Sequence, residues 1–416
     1  MYLRSLTILL FLIISCQKNS QIVNYPSTKK IATEDTYFNS QVIDNYRWLE
    51  NDNAVETKNW VDKQNETTFS YLENIPFRNQ IKNRLEQLWD YDKVSAPFKE
   101  GYYTYFYKNS GLQNQYVVYR KKKGYEEEVF LDPNTFAKDG TTSLAGLNFS
   151  KSGKLLAYSI SEGGSDWRKI IVMDAIDKKI IEDTLVDIKF SGIQWKLDDG
   201  FFYSSYDKPE GSELSQMTDQ HKLYYHKLGT PQSEDVLIFG GLPEQKHRYV
   251  GGSVTRDGKY LFITASKTTS GNISLIKDLS ILKSPLLKVD EDYNTDSYLL
   301  DAIKDNLYIV TNSNAPNKRV IKVSAKSPQE KNWKDFISET EHVLLPSSGG
   351  GYFFARYIVN VMTKVIQYDF KGNNMGEIKL PGIGTAGGWN GKMEDETLYY
   401  SFTNYHTPGV IYSYNP

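Results

Sequence analysis

Serine, histidine and carboxylate side chains are the groups through which this chain could act on a substrate, and their spacing argues against each simple catalytic arrangement. A serine nucleophile on a strand–turn–helix elbow needs Gly-x-Ser-x-Gly, so that its hydroxyl projects from a strained turn. No such pentapeptide occurs in the 416 residues. Gly251-Gly252-Ser253 and Ser347-Ser348-Gly349-Gly350-Gly351 are rich in serine and glycine, and both read as turns, which favour these residue types. The five histidines, His221, His226, His247, His342 and His406, are scattered among strand and loop segments and read as structural or surface residues. Asp198 and Asp199 could be taken for the acid and base of a glycosidase. They lead directly into Gly200, however, and the triplet reads as a tight turn. There is no His-Glu-x-x-His pair for zinc and no phosphate loop. No catalytic residue, metal ligand or cofactor is therefore assigned.

The elements that carry these residues follow from a phrase that recurs along the chain. A turn pair precedes three or four apolar and aromatic residues in Glu100-Gly101-Tyr102-Tyr103, Ser152-Gly153-Lys154-Leu155 and Asp199-Gly200-Phe201-Phe202. It returns in Asp257-Gly258-Lys259-Tyr260, Asp305-Asn306-Leu307-Tyr308, Gly350-Gly351-Tyr352-Phe353 and Glu396-Thr397-Leu398-Tyr399. Measured at positions 101, 153, 200, 258, 306, 351 and 396, the gaps are 52, 47, 58, 48, 45 and 45 residues. A period of about 40–50 residues built from short strands marks a propeller blade. Asp-Gly and Ser-Gly supply the positive φ of a hairpin turn, and the aromatic run suits a strand packed between neighbouring blades. Seven copies predict an all-β chain, a seven-bladed β-propeller. An ordinary β-sandwich with many hairpins is the alternative.

Net charge is −2, and aromatics make up 14% of the chain, with 31 Tyr. A near-neutral balance argues against nucleic acid as a partner. The run Arg120-Lys121-Lys122-Lys123 faces Glu126-Glu127-Glu128 across Gly124-Tyr125 and reads as a solvated hairpin loop without a binding role. Arg4 precedes an apolar stretch from Leu6 to Ser15, too short to span a bilayer. It ends in Ile13-Ile14-Ser15-Cys16, which looks like a bacterial lipobox. Cys16 is the only cysteine, so the chain can form no internal disulfide, and this thiol would be the acyl acceptor. An ordinary secretory peptide with an incidental cysteine is the alternative. These readings divide the chain into a lipoprotein signal peptide (1–16), a tether and extension (17–43), a helical segment (44–90) and the propeller (91–416). Trp60, Val61, Phe69, Leu72, Ile81, Leu85 and Leu88 recur at roughly helical intervals in the third part.

Tyr46-Arg47-Trp48-Leu49-Glu50-Asn51 resembles the opening motif of the prolyl oligopeptidase family of serine peptidases. So do Gly111-Leu112-Gln113-Asn114-Gln115, Val129-Phe130-Leu131-Asp132-Pro133-Asn134 and Gly164-Ser165-Asp166-Trp167. His221-Lys222-Leu223-Tyr224-Tyr225-His226 and Thr407-Pro408-Gly409-Val410-Ile411-Tyr412 continue the match in family order. The resemblance implies a helical segment and a seven-bladed propeller that gates an α/β-hydrolase domain cutting short peptides after proline. It also implies first and last blades that share no strand and meet mainly through packing. The catalytic hydrolase domain is missing from this chain, which is expected to be inactive alone. By resemblance, Asp166 lies near the substrate, and Phe190 lines the pocket for the residue two before the cleaved bond's proline. Val250 and Thr269 stand where relatives place a Met and a Cys in the same pocket. The implied partners are short proline-containing peptides and the hydrolase domain, with membrane contact only through a lipid anchor and a monomer when full length. The expected location is exported, in the periplasm or at the outer membrane. A free-standing, lipid-anchored propeller that binds peptide or protein is the second reading.

Overall fold

The computed structural model describes residues 23–182, 184–209 and 219–416. The expected signal peptide and Cys16 lie outside the described residues. The chain divides into two compact units, the first made mainly of the residues up to Leu88 and the second mainly of those from Trp89 onward.

The first unit opens with a hairpin, Thr33–Tyr37 paired with Ser40–Asp44, which the sequence reading did not anticipate. Its two-residue turn, Phe38-Asn39, takes positive φ at both positions, as a tight twisted hairpin requires. A single 3-10 turn, Arg47–Glu50, follows. Arg47 donates to Asp44 at 3.0 Å and also to Asp35, tying this turn to both strands of the hairpin. Two helices complete the unit, α1 (Val55–Glu73) and α2 (Arg78–Trp89). Phe69, Leu72, Ile81 and Leu85 are exposed along them.

The second unit is a seven-bladed propeller of antiparallel sheets. Blade 1 runs from Lys93 to Leu131, blade 2 from Thr142 to Lys189, and blade 3 from Gln194 to Phe239. Blades 4, 5 and 6 span Tyr249–Asp290, Ser297–Ile337 and Leu345–Glu377. Blade 7 has three strands, Thr385–Gly388, Leu398–Asn404 and Thr407–Tyr414. In each blade the recurrent phrase forms the first hairpin turn and the strand after it. In blades 2 to 6 that strand is largely buried on both faces, because its sheet is sandwiched between two others, whereas in blade 7 buried and exposed positions alternate along it. Gly200–Ser205 is buried throughout, and Tyr260–Ser266 nearly so. This explains why the phrase reads as a continuous apolar run rather than an alternating one.

Six buried hydrophobic clusters join successive blades from 1–2 to 6–7. Blades 2 and 3, for example, share Ile170, Val172, Ile188, Trp195 and Phe201. Blades 3 and 4 share Phe202, Leu223, Val250, Leu261 and Ile263. Burying one such side chain contributes about 1.5–3 kcal/mol. Among the described residues none of the six clusters spans blades 7 and 1. The two share no strand, and polar contacts join them. Lys392 of blade 7 donates to the Glu100 carboxylate at 2.7 Å and to Lys99 O at 2.8 Å in blade 1. At this seam the two blades thus also share an ion pair.

Two local readings are also corrected. Arg120 is buried, not solvated. It donates to Glu128 at 2.6 Å and to the carbonyls of Ala175 and Ile176 in blade 2. Gly200 does not supply the positive φ of its turn, which Leu197 takes at 55°. Gly200 is instead required by close approach, since a Cβ there would lie 2.2 Å from His226 O.

Candidate functional site

Strand direction alternates within a blade. The recurrent turns therefore lie at one end of every blade. The loops between second and third strands, and the links from one blade to the next, lie at the other. Asp166, Phe190 and Thr269 all fall at this second end, in blades 2 to 4.

Blade 2 brings Asp166 and Phe190 together by register. Trp167 pairs with Lys189 across antiparallel strands, so the residue before the one and the residue after the other occupy the next rung. Asp166 is exposed. The turn ahead of it is held by Ser165, which accepts from Trp167 N at 3.1 Å and, through its carbonyl, from Ser161 Oγ at 2.7 Å. Phe190 takes φ 51°, a left-handed value that costs an aromatic residue roughly 1–2 kcal/mol. A strained backbone of this kind is held by its surroundings and gathers at functional positions.

The surroundings of Phe190 are aromatic. Its ring meets Tyr206 edge-on at 6.3 Å and Tyr249 edge-on at 5.7 Å. Lys189 Nζ lies 5.3 Å from the Phe190 ring and 4.9 Å from that of Trp167. Phe190 remains 41% exposed, so this wall offers open apolar surface with a carboxylate one rung away. Beneath it, His221 is fully buried. Its Nδ1 accepts from Val250 N–H at 2.8 Å, and its Nε2 lies 2.9 Å from Lys189 O. Burial pushes its pKa down to about 4. Thr269 is exposed in the loop after Tyr260–Ser266. Val250 is 2% exposed and packs in the cluster between blades 3 and 4. Sequence reasoning missed Tyr206, Tyr249 and His221. The available signal was position alone, since each lies at or next to the end of a strand at the same blade end as Phe190.

The turn end carries a second arrangement. A cavity of about 410 Å³ lies beside the seam, lined by Phe98, Glu100, Arg256, Lys392, Asp395 and Tyr399. Arg256 reaches across from blade 4, donating to Gly391 O at 2.7 Å in blade 7. Burial pushes the Glu100 carboxyl up, against the pull of Lys392. Among the described residues no cluster of three His, Cys, Asp or Glu is placed to hold a metal ion. No helix among them is long and apolar enough to cross a membrane. The second end presents an apolar wall beside a negative charge, suited to binding an extended chain.

The profile of the family described as "Prolyl oligopeptidase, N-terminal beta-propeller domain" matches residues 26–416. The prolyl endopeptidase of Elizabethkingia miricola is 53% identical over 406 residues, 97% of this chain and 57% of that protein. The prolyl endopeptidase of Elizabethkingia meningoseptica is 52% identical over the same length and shares. The solved structure of prolyl oligopeptidase B from Galerina marginata, bound to a 35mer hydrolysis and macrocyclization substrate, aligns with a TM-score of 0.81 at 28% identity. That alignment covers 94% of this chain and 59% of that one. The chain thus spans little more than half the length of the relatives it matches. It belongs to the prolyl oligopeptidase family, as its N-terminal β-propeller part.

Proposed function

We propose that this chain is the substrate-admitting part of a serine-type prolyl endopeptidase that cleaves short proline-containing peptides. The observation that carries the reading is the exposed Phe190 ring, held at positive φ between Tyr206 and Tyr249 with Asp166 one rung away. A flat ring gives a peptide side chain a large apolar contact at little entropic cost. The α/β-hydrolase partner supplies the nucleophile, since the 416 residues hold no Gly-x-Ser-x-Gly elbow. Thr269 contributes the rim of the same pocket, and Val250 backs it from the core. The full-length enzyme works as a monomer and needs no cofactor. The apolar stretch ending at Cys16 directs export, and acylation of that thiol anchors the protein at the periplasmic side or outer membrane.

The test has two arms. The purified chain should hydrolyse a fluorogenic proline peptide no faster than buffer. Turnover sensitive to a serine-reactive phosphonate would overturn this. Fused to the catalytic region of the E. miricola relative, Phe190→Ala should raise KM for apolar peptides with kcat little changed, the mark of lost uniform binding. Asp166→Asn should shift preference between cationic and neutral peptides, an effect that shrinks with salt. An unchanged KM in both variants would refute the pocket. For the anchor, Cys16→Ser should abolish incorporation of labelled fatty acid in cells. Persistent labelling would sink that assignment.

A further inference from the structure

We propose that His221 is the positioning residue of this pocket: its imidazole clamps the peptide group that leads into Phe190 and so holds the aromatic wall in place. The proposal rests on the reading that Phe190 contacts the substrate.

The geometry is specific. His221 immediately precedes the third strand of blade 3, Lys222–Lys227. Its ring reaches both ways, to Lys189 O at the end of blade 2 and to Val250 N in the first strand of blade 4. One imidazole therefore ties three blades at the pocket's floor. A nitrogen that accepts cannot also carry the proton, so the bond from Val250 N–H fixes the ring as the Nε2–H tautomer. Nε2–H then donates to Lys189 O. That carbonyl belongs to the same planar peptide unit as Phe190 N, and φ of Phe190 is the rotation out of this plane. Holding the carbonyl sets the plane from which the left-handed φ departs. The hydrogen bond acts at the place where strain must be offset.

The same ring supports the wall from a second side. Tyr206 stacks on His221 with centroids 4.2 Å apart and presents its edge to Phe190. The Tyr206 hydroxyl donates to Arg248 O, next to Tyr249, the other ring against Phe190. The backbone N–H of His221 donates to His247 O at 2.9 Å, on the segment that carries Arg248 and Tyr249. Each aromatic member of the wall thus connects to His221 through one ring contact or a short run of backbone. Complete burial keeps the ring neutral, the state in which both bonds exist. A histidine needed only to fill space would not require both nitrogens to be matched to backbone groups of two different blades.

The test is a double-mutant cycle in the fusion with the catalytic region, read as KM against kcat. H221N keeps an acceptor near the Nδ1 position but cannot reach Lys189 O, whereas H221Q places an amide donor near the Nε2 position. H221N should raise KM for apolar proline peptides about three- to tenfold, the range of one lost aromatic contact, with kcat within about twofold. H221N added to F190A should raise KM no further, because the wall it positions is gone. H221Q should stay within about twofold of the unsubstituted protein, since it restores the donor. Additive effects of H221N and F190A, or a rise for H221Q equal to that for F190A, overturn the proposal alone. A silent F190A removes the pocket reading and the proposal with it. Should H221N fail to fold, H221Q and the imidazole 15N spectrum of the unsubstituted 416-residue chain decide. A neutral Nε2–H ring supports the clamp, and a protonated or Nδ1–H ring overturns it.

Discussion

Arg256 is expected to couple four blades at the turn end, and removing it should cost far more than losing a surface charge. Its Nη1 donates to Gly391 O at 2.7 Å, its Nη2 lies 3.4 Å from Ser348 Oγ, and its Nε lies 3.3 Å from Asp301 Oδ1. These partners belong to blades 7, 6 and 5. The Asp301 side chain is 2% exposed. Among the described residues, its Oδ2 has no hydrogen-bond partner. Arg256→Ala therefore strands a buried carboxylate. Breaking a buried pair from one side costs about 3–5 kcal/mol. Arg256 is itself 34% exposed, so water enters its place, and the expected loss falls to about 2–3 kcal/mol, well above the 0–1 kcal/mol of a surface pair. Arg256→Ala with Asp301→Asn leaves no charge behind and should lose only about 1 kcal/mol. The coupling between the two sites is then more than about 1 kcal/mol. Equilibrium urea unfolding of the four proteins, followed by far-UV circular dichroism at constant m, measures it. Additive losses, or a loss below about 1 kcal/mol for Arg256→Ala, would refute this coupling of blades.

Stability should fall on both sides of neutrality, because two buried histidines are shifted in opposite directions. Burial opposes charge on His226, yet Asp235 at 2.7 Å and Glu182 at 3.2 Å raise it to about 9. Its contribution, on the order of 2–3 kcal/mol, is complete below the unfolded value of 6.5 and fades as pH rises through 9. His221, lowered from 6.5 to about 4, acts the other way, so stability declines as pH falls through that interval. Urea midpoints between pH 4 and 10 should bracket a maximum, and His226→Gln should remove the alkaline decline. Gly153→Ala should destabilise by at least about 2 kcal/mol, since its Cβ would lie 2.3 Å from Gly101 N and its φ is +70°. A thermal midpoint unchanged by that substitution would show that blades 1 and 2 yield more readily than this spacing allows. Deleting residues 23–88 should leave a folded β-rich protein, because the buried hydrophobic clusters lie within the propeller. Loss of soluble protein would show that the helices belong to its core.

The seven blades were legible because each leaves a local trace, a turn followed by an apolar and aromatic strand. Where the physics is not local, the sequence carried less. Arg256 and Gly391 are 135 residues apart, and His221 lies 29 residues from Val250 and 32 from Lys189. Their meeting depends on how blades stack and on how the ring closes, which no window of residues records. Glycine illustrates the same divide. Gly153 marks its turn by positive φ, but Gly200 sits in a strand and is demanded by a carbonyl 26 residues on. Phe38-Asn39 hid its hairpin because Phe rarely takes the left-handed region it occupies, although Asn does so readily. Arg120 looked solvated because its basic neighbours are. Its burial follows from carbonyls that blade 2 presents 55 and 56 residues later. The pocket shows why resemblance and geometry are both needed. Resemblance singled out Phe190, yet only the folded chain sets Tyr206, Tyr249 and His221 around it. An aromatic wall assembled from three blades has no contiguous motif, so its supporting residues become visible only when blade order and strand direction bring them to one end.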